Sequence, residues 1–260
     1  FLFAILFRKH LIVRHCGTWA HNKTISDFIL YHLLLMFASK KIIILATGIN
    51  SKPPALNNPY INWIFSSSIS SIEIGKQSKT ISKTSYFRLI TISRLVKEKN
   101  IQETVKSMSQ LVKEFPNVIF TIIGTGKFEK NLYDLIKELK LEKSIIMKGY
   151  LNHSAVLNDL KKSHLFVFPT KVREGCPKVI VESLSQGVPI ICPPVSALEY
   201  FLDQGVGLAL KECNSEEIYN QIKYIFSNPK LYEKLSHKAL NISSTLTIEK
   251  WKQRFDALIP

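Results

Sequence analysis

From residue 86 onward, short apolar runs alternate with stretches whose apolar residues recur at helical spacing. FRLITI (87–92) is apolar with polar flanks and predicts a buried strand. IQETVKSMSQLVKEF (101–115) has the helical repeat and stops before Pro116, which disfavours helix in the residue ahead of it. The alternation continues with strand VIFTIIG (118–124), helix FEKNLYDLIKEL (128–139), strand IIMKG (145–149), helix SAVLNDLKKS (154–163), strand HLFVFP (164–169), helix PKVIVESLSQG (177–187) and strand VPIIC (188–192). Gly187 stands where a helix stop is expected. GLALK (207–211) reads as a last short strand, and SEEIYNQIKYIFS (215–227) as a helix that opens with a capping residue and two acids. Continuous apolar strands alternating with helices predict a parallel sheet covered on both faces.

The first part of the chain repeats the pattern once. HLIVRHC (10–16) predicts a strand, TISDFILYHLLLMFASK (24–40) a helix and KIIILATG (41–48) a strand. A single such unit cannot bury both faces of its strands, so roughly 100 further residues are expected upstream of an ordinary domain of this kind. The opening residue is Phe rather than Met, in keeping with that expectation. The Ser- and Lys-rich stretch 66–85 reads either as a linker or as a loop at a domain edge. TIEKWKQRFDALI (247–259) is amphipathic, with Trp251, Phe255 and Leu258 on one face. The apolar runs FLFAILF (1–7) and FILYHLLLMFA (28–38) are both shorter than the roughly 20 residues a bilayer span needs.

Composition narrows the partners. The formal net charge is +15 and 46% of residues are hydrophobic, enough for a core and too many for a disordered chain. Scattered lysines suit a solvated surface or an anionic partner such as a phosphate or an acidic membrane face. They are not interleaved with aromatics, so nucleic acid is not expected. The four cysteines (Cys16, Cys176, Cys192, Cys213) form no close pair, which points away from zinc or disulfides and toward a reducing, cytoplasmic setting.

Candidate chemistry gathers at the predicted carboxyl ends of the strands, where open α/β sheets bind ligands. In REGCPKVIVESLSQGVPII (173–191), Pro177 suits the first turn of a helix and Gly175 allows close approach of a ligand. The free N–H groups of Lys178 and Val179 would then form an anion site at the positive end of the helix. Glu182, a turn further on, has the acceptors to hold two ribose hydroxyls, and Glu174 would face a sugar on the other side of the phosphate. On spacing alone, both acids also read as ordinary surface carboxylates. SRLVKEKN (93–100) puts Arg94 and Lys99 in a strand-to-helix loop, either as a diphosphate clamp or as solvated charges. GTG (124–126) is half of a dinucleotide fingerprint, and Gly124 ends its strand. GYL (149–151) brings the backbone of Tyr150 and Leu151 to another strand end, where it could meet a base. His15 closes the first strand, either as a functional or as a structural histidine. Trp19, Asn22 and Lys23 follow in a loop that could face an acceptor. Cys176, with no base beside it in sequence, reads as a small residue near the sugar rather than a nucleophile.

Taken together these segments resemble a known family. EGCPKVIVESLSQGVPII is similar to the E-x7-E signature of the family 4 retaining glycosyltransferases of GT-B fold. SRLVKEKN resembles their G-R-L-x-x-x-K-G/N segment, with Ser93 for the usual Gly, and FTIIGTGKFEKNLYDLI resembles their IVGDGP strand and helix, with Thr125 for Asp and Lys127 for Pro. The resemblance runs from about Phe87 to the C-terminus. It is fainter over 10–48, where IVRHCGTW is similar to the acceptor-domain strand carrying a His.

The resemblance implies an α/β chain of GT-B type with two Rossmann-like domains, the first truncated and the second a parallel sheet flanked by helices. The expected division is 1–85 for the acceptor-side domain and linker, 86–245 for the nucleotide-sugar domain, and 246–260 for a helix crossing back to the first domain. It implies metal-independent transfer of a sugar, with retention, from a UDP- or GDP-sugar to a glycan or lipid-linked acceptor, with no cofactor beyond the donor. Arg94 and Lys99 would hold the diphosphate, Lys178 and Val179 would add backbone donors, Glu182 would take the ribose, and Glu174 the donor sugar. Gly124, Gly175 and Cys176 would line the donor site, Tyr150 and Leu151 would meet the base, and His15 would reach the donor sugar or the reacting centre. The basic surface would allow peripheral contact with an anionic membrane. Two other readings stay open. One is a sugar-nucleotide epimerase, whose known patterns differ from this E-x7-E segment. The other is a non-catalytic sugar-nucleotide-binding remnant, because the family's glycine-rich loop does not precede the strand at 10–16.

Overall fold

A computed structural model describes residues 7, 9–16, 19, 24–50, 52–81 and 86–258. The run 1–6 and the loop residues Asn22 and Lys23 lie outside the described residues.

The first sheet has three parallel strands in the order β1-β2-β3, with β1 Leu11–His15, β2 Ile42–Thr47 and β3 Ile61–Ile64. Helix α1 (Ile25–Phe37) crosses from β1 to β2, and Thr24 and Asp27 close its N-terminus in a reciprocal capping box. β2 is buried along its whole length and its side chains alternate as a pleat requires. Ile42, Ile44 and Ala46 pack toward Leu34 of α1, while Ile43 and Leu45 face the other way. Strand β3 lies beyond the single βαβ unit that the sequence pattern predicts. INWI offers only four residues after a Pro- and Asn-rich loop, and half of them are only partly buried.

The second sheet has six parallel strands in the order β6-β5-β4-β7-β8-β9: β4 Arg88–Ile92, β5 Ile119–Ile123, β6 Ile145–Met147, β7 Leu165–Val167, β8 Ile190–Cys192 and β9 Gly207–Ala209. The connecting helices are α2 Ile101–Glu114, α3 Glu129–Glu138, α4 His153–Lys162, α5 Lys178–Ser185, α6 Ala197–Asp203 and α7 Ser215–Phe226. Two helices close the chain, α8 Pro229–Ser243 and α9 Ile248–Asp256. α2 and α7 share one side of the sheet with Leu89, Phe120 and Leu165, and there Phe87 stacks on Phe226 at 4.1 Å. α5 and α6 cover the other side, against Ile90, Phe166 and Ile190. The cap of α7 is Asn214, not Ser215 at the head of the predicted helix, because the Asn214 side chain accepts the N–H of Glu217 at 2.8 Å.

The seam between the sheets corrects the linker reading of 66–85. Ile69 is fully buried, the Gly75 N–H donates to the Ser185 carbonyl at 2.7 Å, and the Lys79 N–H donates to the Ser236 hydroxyl at 2.8 Å. The described part of this stretch is therefore bonded to α5 and α8. α9 returns to the first sheet: Trp251, Phe255 and Leu258 pack on Ile43, Leu45 and Ile64, the face of β2 that α1 leaves open.

Candidate functional site

The strand order reverses direction between β4 and β7, which are neighbours although two strands and three helices of sequence separate them. A crevice opens at such a switch point, beyond the carboxyl ends of the two strands. From β4 the chain runs into the loop that carries Arg94 and then into a single 3-10 turn at Lys97–Lys99. From β7 it runs into the loop that carries Glu174 and then into α5. Topology alone thus brings two distant segments together. Lys99 and Glu174, 75 positions apart, form an ion pair whose side chains are only 9% and 20% exposed. The Lys99 ammonium also lies over the Phe168 ring, 5.2 Å from its centre. A backbone bond from the Lys171 N–H to the Glu98 carbonyl, at 2.9 Å, ties the two loops side by side.

Arg94 is exposed and makes no ion pair or side-chain hydrogen bond among the described residues. The sequence reading gives Lys99 to the diphosphate; in this structure its partner is Glu174, so two expected site residues neutralise each other. Gly124 also has a packing reason for its place. Its φ is +131°, and a Cβ there would lie 1.9 Å from the Ser93 carbonyl oxygen. Only glycine lets the end of β5 run beneath the loop that presents Arg94.

Pro177 is the N-cap of α5, with extended backbone just ahead of the first turn, and no side chain caps the helix, so the N–H groups of Lys178 and Val179 are open. Glu182, one turn along, is 7% exposed. Its carboxylate accepts the Ser68 hydroxyl at 2.5 Å and lies 3.4 Å from Nδ1 of His153, the first residue of α4. The other nitrogen of His153 lies 3.2 Å from Oε1 of Glu73. Burial pushes the Glu73 carboxyl upward, but hydrogen bonds from the Ser70 N–H and hydroxyl, with the charge of His153, outweigh it and hold the group below the usual carboxylate range. Ser68, Glu73 and His153 escape a reading by motif, since Ser68 lies 114 positions from Glu182 and meets it only because the seam runs along α5.

Elsewhere the expected residues divide. Tyr150 is 80% exposed beside Gly149, whereas Leu151 is partly buried and packs against the core of the second sheet. Cys176 is buried, its thiol facing the Ser66 carbonyl at 3.9 Å, and burial pushes it up to about 11 despite that bond and the Arg14 charge. A thiol held so firmly protonated is poorly suited to act as a nucleophile. Gly175 faces the first sheet, where a Cβ would meet the Thr47 methyl at 3.6 Å. His15, at the end of β1, touches Trp19 edge-on at 5.4 Å, and its buried Nδ1 has no hydrogen-bond partner among the described residues. Among the described residues no group of three or more His, Cys, Asp or Glu could hold a metal ion, and no helix is long and apolar enough to cross a membrane.

Two sheets of parallel strands with the site at their facing carboxyl edges define the GT-B type of fold. Residues 74–241, more than half of the chain, match the family described as Glycosyl transferases group 1, and the chain belongs to that family. An uncharacterized glycosyltransferase of Haemophilus influenzae is 28% identical over 63% of this chain and 47% of its own length. The poly(glycerol-phosphate) alpha-glucosyltransferase of Bacillus subtilis is 25% identical over 66% of this chain and 26% of its own. The chain therefore spans less than half the length of these curated relatives. Among solved structures, HepE of Anabaena in complex with UDP and glucose aligns with a TM-score of 0.75, over 98% of this chain and 73% of that protein, at 17% identity.

Proposed function

We propose that the chain carries the donor site of a retaining, metal-independent glycosyltransferase that moves a sugar from a nucleoside diphosphate to an acceptor hydroxyl. The observation that carries this reading is the meeting, at one switch point, of Lys99, Glu174 and the open start of α5, with the buried Glu182 one turn inside. The parts have complementary chemistry. Arg94 and the amides of Lys178 and Val179 supply positive potential for a pyrophosphate whose negative charge grows as it departs, and Lys99 adds to it once Glu174 turns from it to the sugar. Glu182 offers acceptors to the ribose, and the Ser68 and His153 contacts hold its carboxylate in one orientation. Glu174, already on the rim with Lys99, meets the sugar. In the reaction the bond from the anomeric carbon to the diphosphate oxygen breaks, the bond to the acceptor oxygen forms, and the acceptor proton leaves with the diphosphate.

The relatives' names support the class of chemistry: the Bacillus subtilis protein is an alpha-glucosyltransferase, and HepE was solved with UDP and glucose. The acceptor we expect is accordingly a cell-surface glycan or a glycolipid. The test is release of nucleoside diphosphate from a panel of UDP-, GDP- and ADP-sugars with glycan and glycolipid acceptors, and NMR of the product's anomeric proton. Release tied to acceptor, with the donor's anomeric configuration kept, is the expected result. Nucleotide binding without transfer would favour a binding protein, and inversion would remove the retaining assignment.

A further inference from the structure

A cavity of about 230 Å³ opens over β4, β5 and β6 of the second sheet. Arg88 and Ile119, which line it, open their strands, whereas the residues of the site above follow the strands' carboxyl ends. The sheet itself is the floor. Register pairs Arg88 with Ile119 and Thr121 with Ile146, and the pleat turns all four side chains to the face that carries Ile90 and Ile123. Both faces of a parallel sheet are ordinarily covered. Here α4 leaves part of one bare: Ile119 and Thr121 are half-buried and Ile146 is 44% exposed. Thr121 is the polar residue of the otherwise apolar strand IFTII, and it stands at this bare place. Cations rim the floor. Arg88 and Lys162 are exposed, line the cavity, and make no ion pair or side-chain hydrogen bond among the described residues. Lys148 lies there too, but it is held at 2.7 Å by Asp159, the one acid in the lining. Beyond α4, Lys79 donates to the carbonyls of Leu160, Lys161 and Ser163, so the acceptors at the end of that helix are already engaged. The neighbourhood registers the excess of positive charge: burial first, and then the charges of Lys79 and Arg88, lower His164 to about 4.

We propose that this cavity binds a phosphomonoester, its phosphate between Arg88 and Lys162 and its body on Ile119, Ile146 and the Tyr86 ring. A phosphomonoester carries close to two negative charges at neutral pH, which matches the two unpaired cations; a carboxylate or a phosphodiester brings only one. The Arg88 guanidinium can take two phosphate oxygens at once, and the Lys162 ammonium a third. The hydroxyls of Thr121 and Tyr86, which also line the cavity, are further donors. At roughly 30 Å³ for each water, the volume is that of about eight waters, room for a phosphate with a short polyol. The same group is presented by a free metabolite and by the headgroup of phosphatidic acid. This site is separate from the donor site proposed above and does not depend on it.

The test is calorimetry at fixed ionic strength with glycerol 3-phosphate, acetate, glycerophosphocholine and vesicles of phosphatidylcholine with and without phosphatidic acid, with amide shifts in heteronuclear NMR to locate the binding. Glycerol 3-phosphate should bind saturably and shift the amides of Thr121, Ile146 and Lys148. Arg88→Gln and Lys162→Gln should each weaken it about tenfold and leave the melting temperature unchanged, because both side chains are exposed and unpaired. Lys137→Gln, which removes an exposed charge from α3, should leave the affinity as it was. Tighter binding to phosphatidic acid vesicles, with the same dependence on Arg88 and Lys162, would support the site and assign the phosphate to a lipid headgroup. Shifts confined to Lys178 and Val179, an affinity indifferent to both substitutions, or equally tight binding of acetate or glycerophosphocholine would overturn it.

Discussion

At the scale of single residues, Lys99 and Glu174 are each nearly buried and each other's only ion-pair partner among the described residues. Removing one leaves the other desolvated and unpaired. Lys99→Ala or Glu174→Ala alone should cost about 2 kcal/mol, and the double variant less than the sum of the two. Urea unfolding of the three variants measures this, and additive losses would show that the pair does not couple. A second residue sets a pH dependence. His164 accepts the Arg88 N–H at 3.1 Å and is lowered to about 4, first by burial and then by the charges of Lys79 and Arg88. Its ordinary value is 6.5, so between pH 6.5 and 4 the unfolded chain binds a proton that the folded chain refuses. His164 therefore favours folding above pH 6.5, and that advantage falls away toward pH 4, by about 3 kcal/mol at most. His164→Asn keeps an acceptor but does not titrate, and should flatten the melting temperature over that window. An unchanged slope would place the acid sensitivity elsewhere.

At the scale of elements, the strands of the second sheet were legible because parallel strands buried on both faces are continuous apolar runs, as in FRLITI and HLFVFP. Other elements hid for physical reasons. α8 has Pro229 at its start and Tyr232, Leu235 and Ala239 at helical spacing, but Lys, Ser, His and Asn dilute the signal. α6 is only seven residues long. The site divides the same way. The E-x7-E spacing and the SRLVKEKN loop could be read along the chain, whereas Ser68, Glu73 and His153 reach Glu182 only through tertiary packing. The amphipathic face of α9 was visible, and the structure seats it on β2. Phe255→Ala should thus loosen the first sheet selectively, by about 2 kcal/mol for a half-buried aromatic. Hydrogen exchange is the readout: amides of Ile42–Thr47 should lose protection while those of Leu165–Val167 keep it. Equal loss in both sheets would mean that they unfold as one unit.

At the scale of the whole molecule, the two sheets meet through the seam at 65–81, through α9, and through the Gly175 contact with Thr47. The proposed donor site lies at the strand ends of the second sheet. A net charge of +15 favours the approach of anionic ligands in general, the proposed donor among them. The central claim is that a pyrophosphate and its ribose are held between the Lys99 loop and α5. Titration calorimetry of UDP, GDP and ADP into the wild-type protein, Glu182→Gln and the paired variant Arg94→Ala with Lys99→Ala tests it most directly. One nucleotide should bind the wild type, about tenfold more weakly with Glu182→Gln and more weakly still with the two cations removed. Equal affinity across all three proteins would contradict the account.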